Sequence, residues 1–187
     1  MTEPQDRTPD AAEWDARYGA AERVWSGEPN GALVAEVAGL EPGRALDVGC
    51  GEGADAVWLA RRGWRVTALD VSRVALDRAE QHATDAGVDV AWVHAGLVEA
   101  GLPAGGFDLV SAQYAVLRKT PGAVAERTLL DLVAPGGTLL VVHHAIDHEH
   151  AHEGGFDPAL YALPADVAGK PAQVHLQGEK LLLQPLT

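Results

Sequence analysis

The sequence predicts an α/β fold, a mostly parallel, doubly wound sheet with helices on both faces. Three observations carry that expectation. A short apolar run, Ala45 to Val48, stops at three glycines spaced two apart, Gly49, Gly51 and Gly53, and a helix-compatible segment, Ala54 to Arg62, follows at once. Four further apolar runs, each bounded by turn residues, alternate with helical patterns downstream. An acid, Asp70, ends the second run, 21 residues after Gly49. Strands alternating with helices form a parallel sheet that needs cover on both faces, joined by right-handed crossovers.

The elements follow in chain order. Met1 to about Ala11 is polar, carries two prolines and has no apolar periodicity, and is expected to be a flexible tail. From there to Thr187 the chain is long enough for one core, and one domain is expected. Ala12 to Val24 places Trp14, Tyr18 and Val24 at roughly helical spacings and leads into Trp25-Ser26-Gly27-Glu28-Pro29-Asn30. This segment, residues 12–30, either buries its aromatics on the domain or folds over the glycine turn as a lid; both can hold. Gly31 to Leu40, with Leu33, Val34, Val37 and Leu40 three and four apart, is an amphipathic helix ended by Glu41-Pro42-Gly43. After the glycine turn and its helix come a strand Arg65 to Leu69 and a helix Ser72 to Ala86 with Ser72 as N-cap. A strand Val88 to Val93, a loop Leu97 to Gly106 and a strand Phe107 to Ala112 follow. A helix Gly122 to Val133 and a strand Thr138 to Val142 complete the core, which spans residues 31–143. Residues 144–187 are read as a substrate-side loop and a C-terminal hairpin.

Composition excludes several functions. A formal charge of -13 leaves no cluster of Lys and Arg for a nucleic-acid backbone. No run of about 18 apolar residues or basic-then-apolar leader appears, so no membrane partner and a cytoplasmic location are expected. The lone Cys50 cannot form an internal disulfide.

The glycine turn reads as a nucleotide-type binding loop. Glycine adopts positive φ and lets a ligand lie against bare backbone, while the amides opening the next helix point into the same crevice. In open parallel sheets that crevice lies at the carboxyl ends of the strands. Asp70 stands there, spaced to accept from both hydroxyls of a ribose, each charge-assisted bond worth roughly 1.5–3 kcal/mol. Its competing reading is a cap for the helix starting near Ser72. Gly49-Cys50-Gly51-Glu52-Gly53-Ala54 also satisfies G-x-G-x-x-A, which brings nicotinamide and flavin dinucleotides into consideration. Against them stand Asp47 and Glu52, carboxylates poorly placed for a pyrophosphate and acceptable for a cation. A ligand with ribose, adenine and a positive centre fits better.

Leu46 to Gly53, Asp70, Phe107-Asp108-Leu109-Val110 and Ala134-Pro135-Gly136-Gly137-Thr138-Leu139-Leu140 together resemble class I S-adenosylmethionine-dependent methyltransferases, which have a Rossmann-like fold. Trp14-Asp15 through Tyr18, with Val24 to Asn30, further resembles their tellurite-resistance and thiopurine methyltransferase-like branch. The resemblance covers about Trp14 to Pro164 and implies S-adenosyl-L-methionine as cofactor. It places Gly49, Cys50 and Gly51 near the methionine part, with Asp47 nearby, Asp70 on the ribose diol and Val71 against the adenine. Family members commonly carry an acid at the end of the third strand, in an Ala-Asp-Leu context, that reaches the adenine amino group. Here the sequence is Ala95-Gly96-Leu97, so adenine recognition falls to the backbone of Gly96 and Leu97 or is weaker than usual. Gln113 and Tyr114 would flank the transferred methyl, and Trp14, Tyr18 and Trp25 belong to the lid.

The implied reaction is in-line displacement at a sulfonium methyl, which needs alignment and a dry pocket more than acid–base groups. The expected acceptor is a small molecule with a soft nucleophile, a thiol, selenium or tellurium species. For an oxygen or nitrogen acceptor, His143 and His144 are the candidate bases, with Tyr114 as the third catalytic candidate. Alternatives from other classes are a dinucleotide-dependent oxidoreductase and a non-catalytic cofactor-binding or interaction protein. His143, His144, His148, His150 and His152, with Asp147, Glu149 and Glu153, could ligate a metal, but a solvated rim loop explains them, and no metal is assigned. Beyond Pro164 the pattern departs from the family. Ala172 to Gln177 and Lys180 to Leu186 can be drawn as a hairpin on a reduced sheet edge, where an exposed Leu181 to Leu183 would favour pairing of two copies.

Overall fold

The computed structural model describes residues 11–143, 160–162 and 166–167, together with the backbone of 172–177 and 180–185. Its sheet has seven strands. In chain order these are β1 (Arg44–Val48), β2 (Arg65–Asp70), β3 (Ala91–His94), β4 (Phe107–Gln113), β5 (Val133–Val142), β6 (Ala172–Gln177) and β7 (Lys180–Pro185). They lie side by side as β3-β2-β1-β4-β5-β7-β6, the first five parallel and the last two antiparallel. The helices are α1 (Ala11–Gly19), α2 (Gly31–Val37), α3 (Ala54–Arg61), α4 (Arg73–Ala86) and α5 (Val124–Leu132). The expected elements are therefore present, with boundaries moved by a few residues. Strand β3 begins later, at Ala91, and β5 begins earlier, at Val133, because Phe107 pairs with Val133 before a register shift at Leu109.

Two apolar layers sandwich the sheet, and strand alternation divides its side chains between them. Leu46, Val48, Val110, Leu139 and Val141 pack with Leu129 and Leu132 of α5. Ala45, Ala68, Leu109, Leu140 and Val142 pack with Leu33 and Val37 of α2 and Ala56 and Leu59 of α3. The resulting switch point lies between β1 and β4, whose chains depart to opposite sides, and it opens a crevice at their carboxyl ends.

The C-terminal hairpin corrects one expectation. It is a full two-stranded addition, and its second arm pairs with β5, Leu139 opposite Leu183 and Val141 opposite Leu181. The chain reverses after Gln177, which leaves β6 as the outer strand. Leu181 to Leu183 thus form an inner strand, and their backbone is not the edge on which pairing between copies was expected. Residues 1–10 of the expected tail, His144 and the remaining histidines at 148, 150 and 152 lie outside the described residues, whereas Ala11, read as the end of that tail, opens α1. Among the described residues no helix is long and apolar enough to cross a membrane.

The third glycine of the turn fixes how α3 meets α4. Gly53 has φ +81°, and a Cβ there would stand 2.7 Å from the Cβ of Ala79 and 3.1 Å from the Trp92 ring. Gly53→Ala should therefore combine left-handed strain with overpacking, costing about 2–4 kcal/mol, and lower the melting temperature measured by circular dichroism.

Candidate functional site

The crevice is built by three turns at the carboxyl ends of the strands. The turn after β1 folds back on β2, the amides of Gly49 and Cys50 both donating to the Leu69 carbonyl at 2.9 and 3.0 Å. Asp70 then ties this turn to the one after β2. Its Oδ2 accepts from the Gly51 amide at 2.9 Å and its Oδ1 from the Ser72 amide at 2.8 Å. Ser72 caps α4, its hydroxyl accepting from the Ala75 amide at 3.1 Å, as expected from the sequence. Asp70 thus braces the turn before α4 while lining the crevice.

The cavity above these turns has a volume of about 1050 Å³. Trp14, Tyr18, Trp25, Asp47, Gly49, Cys50, Gly51, Asp70, Val71, Gly96, Leu97, Gln113, Tyr114 and His143 all line it, so the candidates separated by over a hundred residues converge on one space. His144 is outside the described residues. Tyr114 stands at the mouth with φ +55°, an uncommon conformation for a residue with a side chain, held by its amide donating to the Val142 carbonyl at 2.8 Å. Residues 115–117 continue this wall, and residues 160–162 dock on it through the Ala162 amide on the Leu117 carbonyl at 2.7 Å.

The lid is anchored by residues whose purpose the sequence did not reveal. Glu52 lines the cavity and spends its charge on the lid. Its carboxylate accepts from the Val24 and Trp25 amides, at 3.2 and 3.0 Å, and pairs with Arg78 at 2.7 Å. Arg78 in turn donates to the carbonyls of Tyr18 and Ala21 at 2.8 and 2.6 Å, closing α1 down on α4. Asp15 reinforces this, accepting from the Ser72 hydroxyl at 2.6 Å, and that bond holds its carboxyl below the usual range. Asp55 accepts from both the amide and side chain of Asn30 at 2.7 Å, which fixes the far end of the lid. The one sequence signal for these links was the acid-rich turn; their partners lie 25 or more residues away along the chain.

Under the lid, the Trp25 indole donates to the Tyr18 hydroxyl at 3.0 Å, and that hydroxyl lies 2.8 Å from where a Cβ on Gly51 would stand. Only glycine, with φ +53°, allows this closure. Burial pushes the Tyr18 phenol up to about 12, so it is neutral. Arg17 spreads over both tryptophans, 5.2 Å from the Trp14 centroid and 5.4 Å from that of Trp25, and pairs with no acid among the described residues.

The floor is acidic and strained toward neutrality. Asp47 is 2% exposed and its Oδ2 has no partner; burial first, then the charges of Asp55 and Asp70, raises its carboxyl well above the ordinary value. Asp55 and Asp70 are raised too, in each case chiefly by burial. Gln113 donates to Ser111 at 3.0 Å while its buried Oε1 is also unpartnered. Burial, with Asp47 and Asp70 beside it, likewise raises the Cys50 thiol, which stays protonated. Such a floor suits a cation, which would satisfy the orphaned oxygens and relieve the mutual repulsion. Among the described residues no group of three or more metal-ligating side chains is assembled.

Asp47→Asn should therefore stabilise the unliganded protein. A carboxyl raised in the folded state costs nothing below 3.8 and weakens the fold as pH rises toward its folded value. The melting temperature of the variant should exceed that of the wild type at pH 8 by more than at pH 4, a difference that scanning calorimetry would resolve.

Residues 45–137 match the family model of the methyltransferase domain. An uncharacterized methyltransferase of Mycobacterium tuberculosis is 43% identical over 97 residues, covering 52% of this chain and 48% of the relative. A ubiquinone biosynthesis O-methyltransferase of Alkalilimnicola ehrlichii is 39% identical over 103 residues, 54% of this chain and 42% of the relative. The chain spans about half the length of the curated relatives it matches. Among solved structures, one described by the conversion of a disulfide bond into a thioacetal group during echinomycin biosynthesis superposes with a TM-score of 0.71 at 22% identity, covering 93% of this chain and 90% of that one. A putative S-adenosyl-L-methionine-dependent methyltransferase of Methanococcus maripaludis gives 0.66 at 17%, covering 99% and 96%. The fold is the Rossmann-like one of those structures, and residues 45–137 are similar to a methyltransferase domain.

Proposed function

We propose that this protein transfers a methyl group from S-adenosyl-L-methionine to a small-molecule acceptor bearing a soft nucleophile, a thiol, selenium or tellurium species, in the manner of the tellurite-resistance and thiopurine methyltransferase-like branch. The observation that carries the reading is the lid-covered cavity with one wall at Asp70 and another at Tyr114 and His143. The residues fit the cofactor: a bare-backbone turn at Gly51, orphaned acceptors on Asp47 and Gln113, and a diol-binding acid in Asp70. When bound, the cofactor supplies an electrophilic methyl on a sulfonium.

The chain's own contribution is placement and exclusion of water. Asp70, held by two amides, orients a ribose; Val71 and Leu97 offer apolar faces to a base; the Trp25–Tyr18 pair closes the top. Alignment of this kind supplies about 7–11 kcal/mol of a displacement barrier. A protonated Cys50 does not compete for the methyl. His143 is the one imidazole in the described lining of the cavity. The cavity's enclosure and acidic floor favour a small molecule over nucleic acid. The sulfur chemistry described for the echinomycin structure is consistent with a soft acceptor.

A second reading, an oxygen acceptor, is favoured by the ubiquinone O-methyltransferase relatives and by His143 in the cavity. Cofactor-dependent release of S-adenosylhomocysteine, screened over thiols, selenite, tellurite, halides and catechols, separates the two. A soft acceptor should tolerate His143→Ala with less than about a threefold loss, whereas a catechol should lose 10²-fold or more, on the order of a general base. Turnover confined to catechols would overturn the soft-nucleophile reading.

Asp70→Ala should weaken S-adenosylhomocysteine binding by about 30-fold or more in calorimetric titration, and His148→Ala by less than about twofold. The same ligand should raise the melting temperature where NADH leaves it unchanged. A shift with NADH alone would favour the oxidoreductase.

A further inference from the structure

We infer that Glu99 recognises the 6-amino group of the cofactor's adenine, a role that nothing in the strand itself fills; this rests on the cofactor-binding reading above. The position of the base follows from the sheet order. With the ribose at Asp70 and the reacting end toward Gln113, which ends β4, and Tyr114 just after it, the base extends the other way, over Val71 toward β3, where Gly96 and Leu97 line the cavity. An adenine edge there presents an amine, which needs an acceptor. Gly96 has no side chain to give one.

The chain supplies a carboxylate from three residues further on. The Ala100 amide donates to the Gly96 carbonyl at 3.0 Å, so residues 96–100 close a single turn that carries Glu99 back over Gly96. Its Oε2 lies about as near to the site of a Cβ on Gly96 as an aspartate's own carboxylate oxygens lie to their Cβ, two covalent bonds away. The Val71 side chain is the next neighbour of that point, at 3.8 Å. Glu99 is exposed and has no hydrogen bond or ion pair among the described residues, so its lone pairs are available. Gly96 itself is not in the left-handed region, so nothing in the backbone demands glycine there; the space is reserved for the carboxylate of Glu99.

The test compares S-adenosylhomocysteine with S-inosylhomocysteine, in which a carbonyl replaces the amine, by calorimetric titration of the full chain. Wild type should prefer the adenosyl ligand by about tenfold or more, as a charge-assisted bond implies. Glu99→Ala should bring the two affinities within about threefold by weakening the adenosyl ligand alone. Glu99→Lys should reverse the preference. Adding Gly96→Asp to Glu99→Ala should restore it, because an aspartate there returns a carboxylate beside the same backbone position. Melting curves of the Glu99 single variants, changed only at an exposed position, should stay close to wild type. Unchanged adenosyl affinity in Glu99→Ala, with wild type binding normally, would overturn the inference and leave the cofactor reading intact. Failure of wild type to bind S-adenosylhomocysteine would instead overturn the cofactor reading and this inference with it.

Discussion

The Asp70 carboxylate, shared between the amides of Gly51 and Ser72, is the constraint on which the rest of the site depends. One oxygen holds the turn after β1 and the other the turn before α4, so the two walls of the crevice cannot move independently. Because the acid is buried, with Asp47 near it, this bracing carries a cost. The amide bonds to Asp70 offset part of the burial cost, and a cationic ligand offsets more.

The lid depends on the same bracing at one remove. Glu52 rises from the turn that Asp70 holds, and through Arg78 it fastens the backbone of residues 18–25 to α4. Asp15 adds a second fastening at Ser72, the residue whose amide Asp70 engages. Cofactor loop, helix cap and cover therefore form one polar network. A ligand that enters beneath Trp25 and Tyr18 meets walls already positioned.

Much of this was legible in the chain because its signals are local. The glycines of the turn announce backbone that a Cβ would obstruct, and Asp70 and Ser72 follow a strand at the spacing that an acid and an N-cap need. The hairpin was legible as two arms, but which arm would join β5 was not, since nothing in six residues of alternation names a neighbour. Glu52 illustrates the harder failure. Its position within the turn suggested a ligand contact, yet two lid amides and Arg78, all 26 to 28 residues away, take its charge.

By itself the sequence determined the order of strands and helices, the glycine turn with its acid, and the aromatic segment meant to cover it, because periodicity and permitted φ are properties of neighbouring residues. Only the tertiary structure decided which acids face the ligand and which hold the lid, and that Glu99 returns to the bare Cα of Gly96. Those outcomes rest on contacts across turns and between separate elements, where direction in space, and not spacing along the chain, selects the partner.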